Sequence, residues 1–199
     1  MKLRMLGLAL CCMLGLATEG RAQVVWDSPN LLPPRPQAGT GIYLIDAHRG
    51  GLGVLGTWRG SSSGVGLRLG IAEGRHDGIA ILGGLDIVAP LFAASRDFPL
   101  DISWFGGVGA GYSNWMVISL PFGITLGRTF ASPDTRFTPY IAPKVIGDLH
   151  LDRGPGGDND LELNLDVDLG FDVQFRAGWA IRFGAGLGDR SGIAVGIRF

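Results

Sequence analysis

Between Leu161 and Phe175 the chain alternates strictly. The odd positions are Leu161, Leu163, Leu165, Val167, Leu169, Phe171, Val173 and Phe175; the even ones are Glu162, Asn164, Asp166, Asp168, Gly170, Asp172 and Gln174. In a chain that is 46% hydrophobic, eight apolar residues in eight such positions arise by chance about once in 500 trials. A helix would spread both sets around its circumference. An extended strand puts them on opposite faces, one apolar and one strongly polar.

The pattern recurs. Ile193, Val195, Ile197 and Phe199 alternate with Gly192, Ala194, Gly196 and Arg198. Trp179, Ile181, Phe183, Ala185 and Leu187 alternate with Gly178, Ala180, Arg182, Gly184 and Gly186, and Val65 to Ala72 repeats the scheme around Arg68. Ten such segments are predicted: Gly39 to Ala47, Gly51 to Trp58, Gly64 to Ala72, Ile79 to Pro90, Pro99 to Gly111, Trp115 to Leu126, Thr138 to Leu151, Leu161 to Phe175, Ala177 to Leu187, and Ser191 to Phe199. Turn formers separate most of them, among them His48-Arg49-Gly50, Arg59 to Ser63, Glu73 to Asp77 and Asp152 to Asp160. A helix at Ile79 to Ser95 is the rival for one stretch. Gly83-Gly84 and Pro90 oppose it, and as a strand its lone Asp86 points to the polar face.

Composition narrows the class. The 34 glycines of 199 residues disfavour helices, because each interior glycine costs about 1 kcal/mol relative to alanine. They show no Gly-X-Y period. A mean hydropathy of +0.27 with net charge −1 excludes a disordered chain, and a pI near 6.3 gives no support to nucleic-acid binding.

The first 22 residues read as a secretory leader. Lys2 and Arg4 precede the uncharged run Met5 to Ala17, and Gly20-Arg21-Ala22 supplies small residues for cleavage after Ala22. Cys11 and Cys12 leave with it, which excludes disulfides, thiolate metal sites and a cysteine nucleophile from the mature chain. Residues 23–38 carry Pro29, Pro33, Pro34 and Pro36, so an extended, loose periplasmic tail is expected there rather than one docked through Trp26 or Leu31-Leu32.

The face opposite the bulky apolar one is built from glycine, alanine and charge. Inside a narrow closed barrel, small residues and a few long charged ones share the lumen while the bulky set faces lipid. A leader, ten alternating segments and the terminal Ile193, Val195, Ile197, Phe199 series resemble the small outer-membrane β-barrels of Gram-negative bacteria. The fold expected over 39–199 is therefore all-β, an antiparallel up-and-down transmembrane β-barrel of ten strands, with eight as the alternative count. The resemblance implies an outer-membrane location with a periplasmic N-terminus. It implies contact with outer-membrane lipid and lipopolysaccharide, and recognition of the four terminal residues by the barrel-assembly machinery. A monomer without cofactor, metal or nucleic-acid partner is expected. Aromatic residues near strand ends, Trp58, Tyr112, Trp115, Phe137 and Trp179, fit interfacial girdles, with Trp104 nearer mid-strand.

The candidate chemistry lies on the inner face. Asp86, Asp101, Glu162, Asp166, Asp168 and Asp172 share it with Arg68, Lys144, Arg182 and Arg198, and with Arg176, and a cross-lumen network of Arg–carboxylate pairs is expected. This favours a filled interior and a structural, adhesive or narrow-pore role. A second class of function is a rim hydrolase: Asp148, His150 and Asp152 project to one face, and an Asp-x-His pair there resembles part of the omptin protease apparatus, with His150 as base. The third is a soluble lipocalin-like barrel, which requires the faces reversed. Gly154 to Asp160 lacks the acid spacing of an EF-hand, and Gly106 to Gly111 is not followed by a helix that could receive a phosphate.

Overall fold

The computed structural model describes residues 26–47, 51–60, 64–73, 78–113, 116–151 and 159–199. The strands are β1 (Gly39–Ala47), β2 (Gly51–Arg59), β3 (Val65–Glu73), β4 (Ile79–Phe92), β5 (Asp101–Tyr112), β6 (Met116–Gly127), β7 (Phe130–Ala131), β8 (Thr135–Leu151), β9 (Asp160–Phe175), β10 (Ala180–Gly188) and β11 (Gly192–Arg198). Every pairing is antiparallel. The sheet closes because β1 pairs with β11 and β6 with β8, leaving ten long strands in one barrel. The ten-strand count therefore stands, and the eight-strand alternative does not. Ile79–Phe92 is a strand, with a register shift between Pro90 and Phe92.

Residues 128–137, between the predicted segments Trp115 to Leu126 and Thr138 to Leu151, are partly strand. Phe130 and Ala131 form β7 and pair with Phe137 and Arg136 at the start of β8, so a small hairpin extends the barrel wall there. The start of β1 and the end of β11 meet, where Thr40 and Phe199 exchange two backbone hydrogen bonds of 2.8 Å.

Side-chain direction follows the alternation. On β9, Leu163 is 73% exposed while Asp168 is 1% exposed. Leu44, Leu52, Leu69, Ile81, Val108, Phe122, Val145, Leu163, Leu187 and Ile193 carry an exposed apolar side chain onto the outside of all ten long strands. The inner wall is less uniform than the sequence suggests. Tyr43, Ile45, Leu55, Leu82, Phe105, Val117 and Ile146 also point inward and are buried.

What they pack against is the larger departure. The proline-rich segment expected as a loose tail runs inside the barrel: every residue from Trp26 to Pro34 is buried. Trp26 and Leu31 join Tyr43, Ile45, Leu55, Leu82 and Ala194 in one cluster, and Leu32 joins Val88, Phe105 and Ala142 in another. The extended backbone expected from proline density is interrupted: Trp26 and Asp27 lie in a turn, Ser28-Pro29 and Pro34-Arg35 are bends, and Leu31 has a φ of +50°. Proline density carries no information on whether the backbone meets water or a wall.

Glycines of the wall make room for the segment. A Cβ on Gly84 would lie 2.4 Å from Trp26 Cε3, and one on Gly107 would lie 2.7 Å from Trp26 Cη2. Gly184 is similarly placed against Leu31 and Pro29. Since the three nearest atoms to a Gly84 Cβ all belong to Trp26, Gly84→Ala should destabilise the barrel by about 1–3 kcal/mol through overpacking. The cost should shrink when the substitution is made in a Trp26→Ala background. Guanidinium unfolding from detergent micelles, run as a double-mutant cycle, measures both.

Candidate functional site

A backbone inside a barrel has no strand partner, so its polar groups must be satisfied by wall side chains. Lys144 Nζ on β8 donates to the Asp27 carbonyl at 2.8 Å. Arg68 on β3 donates to the Asn30 carbonyl and, at 3.0 Å, to Asn30 Oδ1. Arg182 on β10 donates to the Leu31 carbonyl at 2.9 Å, and Thr125 on β6 to the Leu32 carbonyl at 2.9 Å. Ser103 on β5 donates to the Pro34 carbonyl, and Arg198 on β11 to the Ala38 carbonyl at 3.0 Å. In the other direction, the Asn30 amide donates to Asp168 Oδ2 at 3.0 Å. Arg68 also lies over the Trp26 ring, 5.7 Å from its centroid.

Nine of the ten residues predicted to line the lumen are buried there: Arg68, Asp86, Asp101, Lys144, Asp166, Asp168, Asp172, Arg182 and Arg198. Glu162 is the exception. It is exposed at the far end of β9, with its carboxylate 3.4 Å from His150 Nε2. Arg176 also leaves the set, standing in an exposed turn 3.6 Å from Asp134.

The predicted cross-lumen pairing is not what forms. Arg182 and Asp172 are register partners on β10 and β9 and pair at 2.6 Å; Arg68 reaches Asp86 on the adjacent β4 at 2.9 Å; Lys144 reaches Asp168 on the adjacent β9 at 2.9 Å. These pairs run along the wall because residues 26–38 occupy the axis between opposite walls. Asp101 pairs at 2.6 Å with Arg35 of the interior segment.

Sequence reasoning missed Arg59, which pairs with Asp86, and Arg190, which pairs with Asp148 and, at 2.9 Å, with Asp27. Both lie in or beside turns, where alternation gives no facing. Burial pulls the Arg190 guanidinium below its ordinary pKa while Asp27 opposes that shift. Ser103, Ser119 and Thr125 were also missed, yet strand parity could have found them, since Ser103 shares a face with Asp101.

At the rim, Asp148 is committed elsewhere than to His150: it accepts from Asn164 Nδ2 at 2.7 Å and pairs with Arg190. Asp152, Trp115 and the acidic stretch through Asp158 lie outside the described residues. Ile193, Val195, Ile197 and Phe199 all face outward.

No protein-family model and no curated protein matches the chain. It is similar to a solved structure described as the de novo design of transmembrane beta-barrels, with 16% identity, 83% of this chain and 97% of that one covered, and a TM-score of 0.36.

Lys144 is fully buried between Asp27 and Asp168. Lys144→Met strands Asp168 without its cation and should cost about 3–5 kcal/mol, read from the guanidinium midpoint of the micelle-embedded protein. Adding Asp168→Asn should recover part of that loss.

Proposed function

We propose that this chain is an integral outer-membrane β-barrel with a structural role, closed to solutes by its own N-terminal segment. The observation that carries the proposal is the direction of the side chains: bulky apolar residues cover the outside of every long strand, and Arg68, Asp86, Lys144, Asp168, Asp172 and Arg182 are buried within. A soluble protein rarely leaves a contiguous apolar patch of more than a few hundred Å² in water, whereas lipid requires that surface. A lipocalin-like barrel needs the opposite arrangement, an apolar interior free to take a ligand; here Trp26, Leu31 and Leu32 fill the interior.

Trp58, Phe130, Phe137, Trp179 and Phe199 are exposed at the end where β1 starts and β11 finishes. This fits an interfacial girdle on one side of the membrane. With the leader expected from residues 1–22, that side is the periplasmic one. Outer-membrane lipid and lipopolysaccharide are then the surroundings of a monomeric barrel, and the outward Ile193, Val195, Ile197 and Phe199 suit recognition by the barrel-assembly machinery. No catalytic role is proposed for His150: of the two acids that could orient it, Asp148 is held by Arg190 and Asn164, and Asp152 lies outside the described residues.

The refolded full chain in planar bilayers should show no steady openings, and a variant lacking residues 26–37 should conduct. Steady large openings of the intact chain would overturn the closed-barrel reading. A purified chain that stays folded and dissolved without detergent would overturn the membrane assignment itself.

A further inference from the structure

Four arginines, Arg59, Arg68, Arg182 and Arg198, line one small cavity, partly open to solvent, where the interior segment leaves the barrel beside Gln37 and Gly39. Asp86 is the one carboxylate lining it, and it serves both Arg59 and Arg68. Asp172 neutralises Arg182 at 2.6 Å. Arg198 binds only neutral oxygens, those of Ala38 and Gln37 at 3.0 and 2.7 Å, with no carboxylate within 4.0 Å among the described residues. Four guanidinium charges thus face two carboxylates.

The donors are unfilled as well. Arg68 Nη1, Arg182 Nε and Arg198 Nε are buried without a hydrogen-bond partner, and all three belong to residues around this cavity. Unpaired buried cations are costly. An oxyanion in the cavity would offset the surplus charge, and guanidinium binds phosphate and carboxylate oxygens with particular strength.

We propose that this cavity is a binding site for a single phosphate-class oxyanion, supplied either as free inorganic phosphate or as the phosphate of an anionic lipid headgroup. The proposal does not depend on the barrel being closed to solutes. The anion sits against Arg198, the arginine with only neutral partners, and holds the exit of the interior segment in place.

The test is calorimetric titration of the full chain, refolded in a phosphate-free sugar detergent, with inorganic phosphate and separately with dihexanoyl phosphatidic acid. Saturable binding of one phosphate per chain assigns the site to the free anion; binding of the lipid alone assigns it to a headgroup. Arg198→Gln should weaken the binding probe at least about tenfold. Arg176→Gln, which removes an exposed cation at the same end of the barrel, should leave it unchanged. Arg59→Gln, which removes a second guanidinium lining the cavity, should weaken binding as well, and heat-modifiability gels confirm that each variant is folded. Failure of both probes to bind the unsubstituted chain overturns the proposal, as does an equal loss in Arg176→Gln and Arg198→Gln.

Discussion

Hydrogen bonding of the main-chain carbonyls of residues 27–38 governs the interior of this barrel. Those of the buried residues Asp27, Asn30, Leu31, Leu32 and Pro34 belong to no strand, and an unsatisfied one costs on the order of 1–3 kcal/mol. The wall answers with Lys144, Arg68, Arg182, Thr125, Ser103 and Arg198, drawn from six different strands. Contacts of this kind read the backbone of the segment and leave most of its side chains free to pack. They tie the segment to nearly the full circumference, so that it and the wall stabilise one another.

The same constraint explains the company the cations keep. Each donor that reaches inward is charged or hydroxylic, and burying a charge is tolerable only with a counter-charge at hand. Neighbouring strands supply it: Asp172 beside Arg182, Asp86 beside Arg68, Asp168 beside Lys144. The acids hold the bases in position, and the bases hold the segment. Only around Arg198 does this scheme run short of acids, at the end where the segment leaves the barrel.

The outside obeys a simpler rule. A closed sheet has no edge to pair with another chain, and its outer face carries leucine, isoleucine, valine and phenylalanine where a soluble barrel would carry charge. An inside filled by the protein's own residues and an outer face of this kind are the two features on which the proposed function rests. The rim pair His150 and Asp148 is consistent with that, since Asp148 serves to anchor Arg190 and through it Asp27.

Strand positions, strand count, barrel closure and the facing of nine lumen residues were legible in the sequence, because a period of two is a local property and each strand displays it without reference to its neighbours. Tyr43, Ile45, Leu55 and Phe105 were hidden, since apolar residues on both faces blur the alternation. Glu162 was misplaced because parity gives the face and not the depth: it lies on the correct strand but beyond the covered part of the lumen. The path of residues 26–38, the pairing of Lys144 with Asp27 and the arginine-lined exit were decided only by the tertiary structure. They join positions more than a hundred residues apart, and whether a proline-rich backbone lies in water or in a bore depends on the size of that bore. The diameter is set by ten strands closing together and by glycines such as Gly84 and Gly107 that leave space for Trp26. No single stretch of sequence contains it.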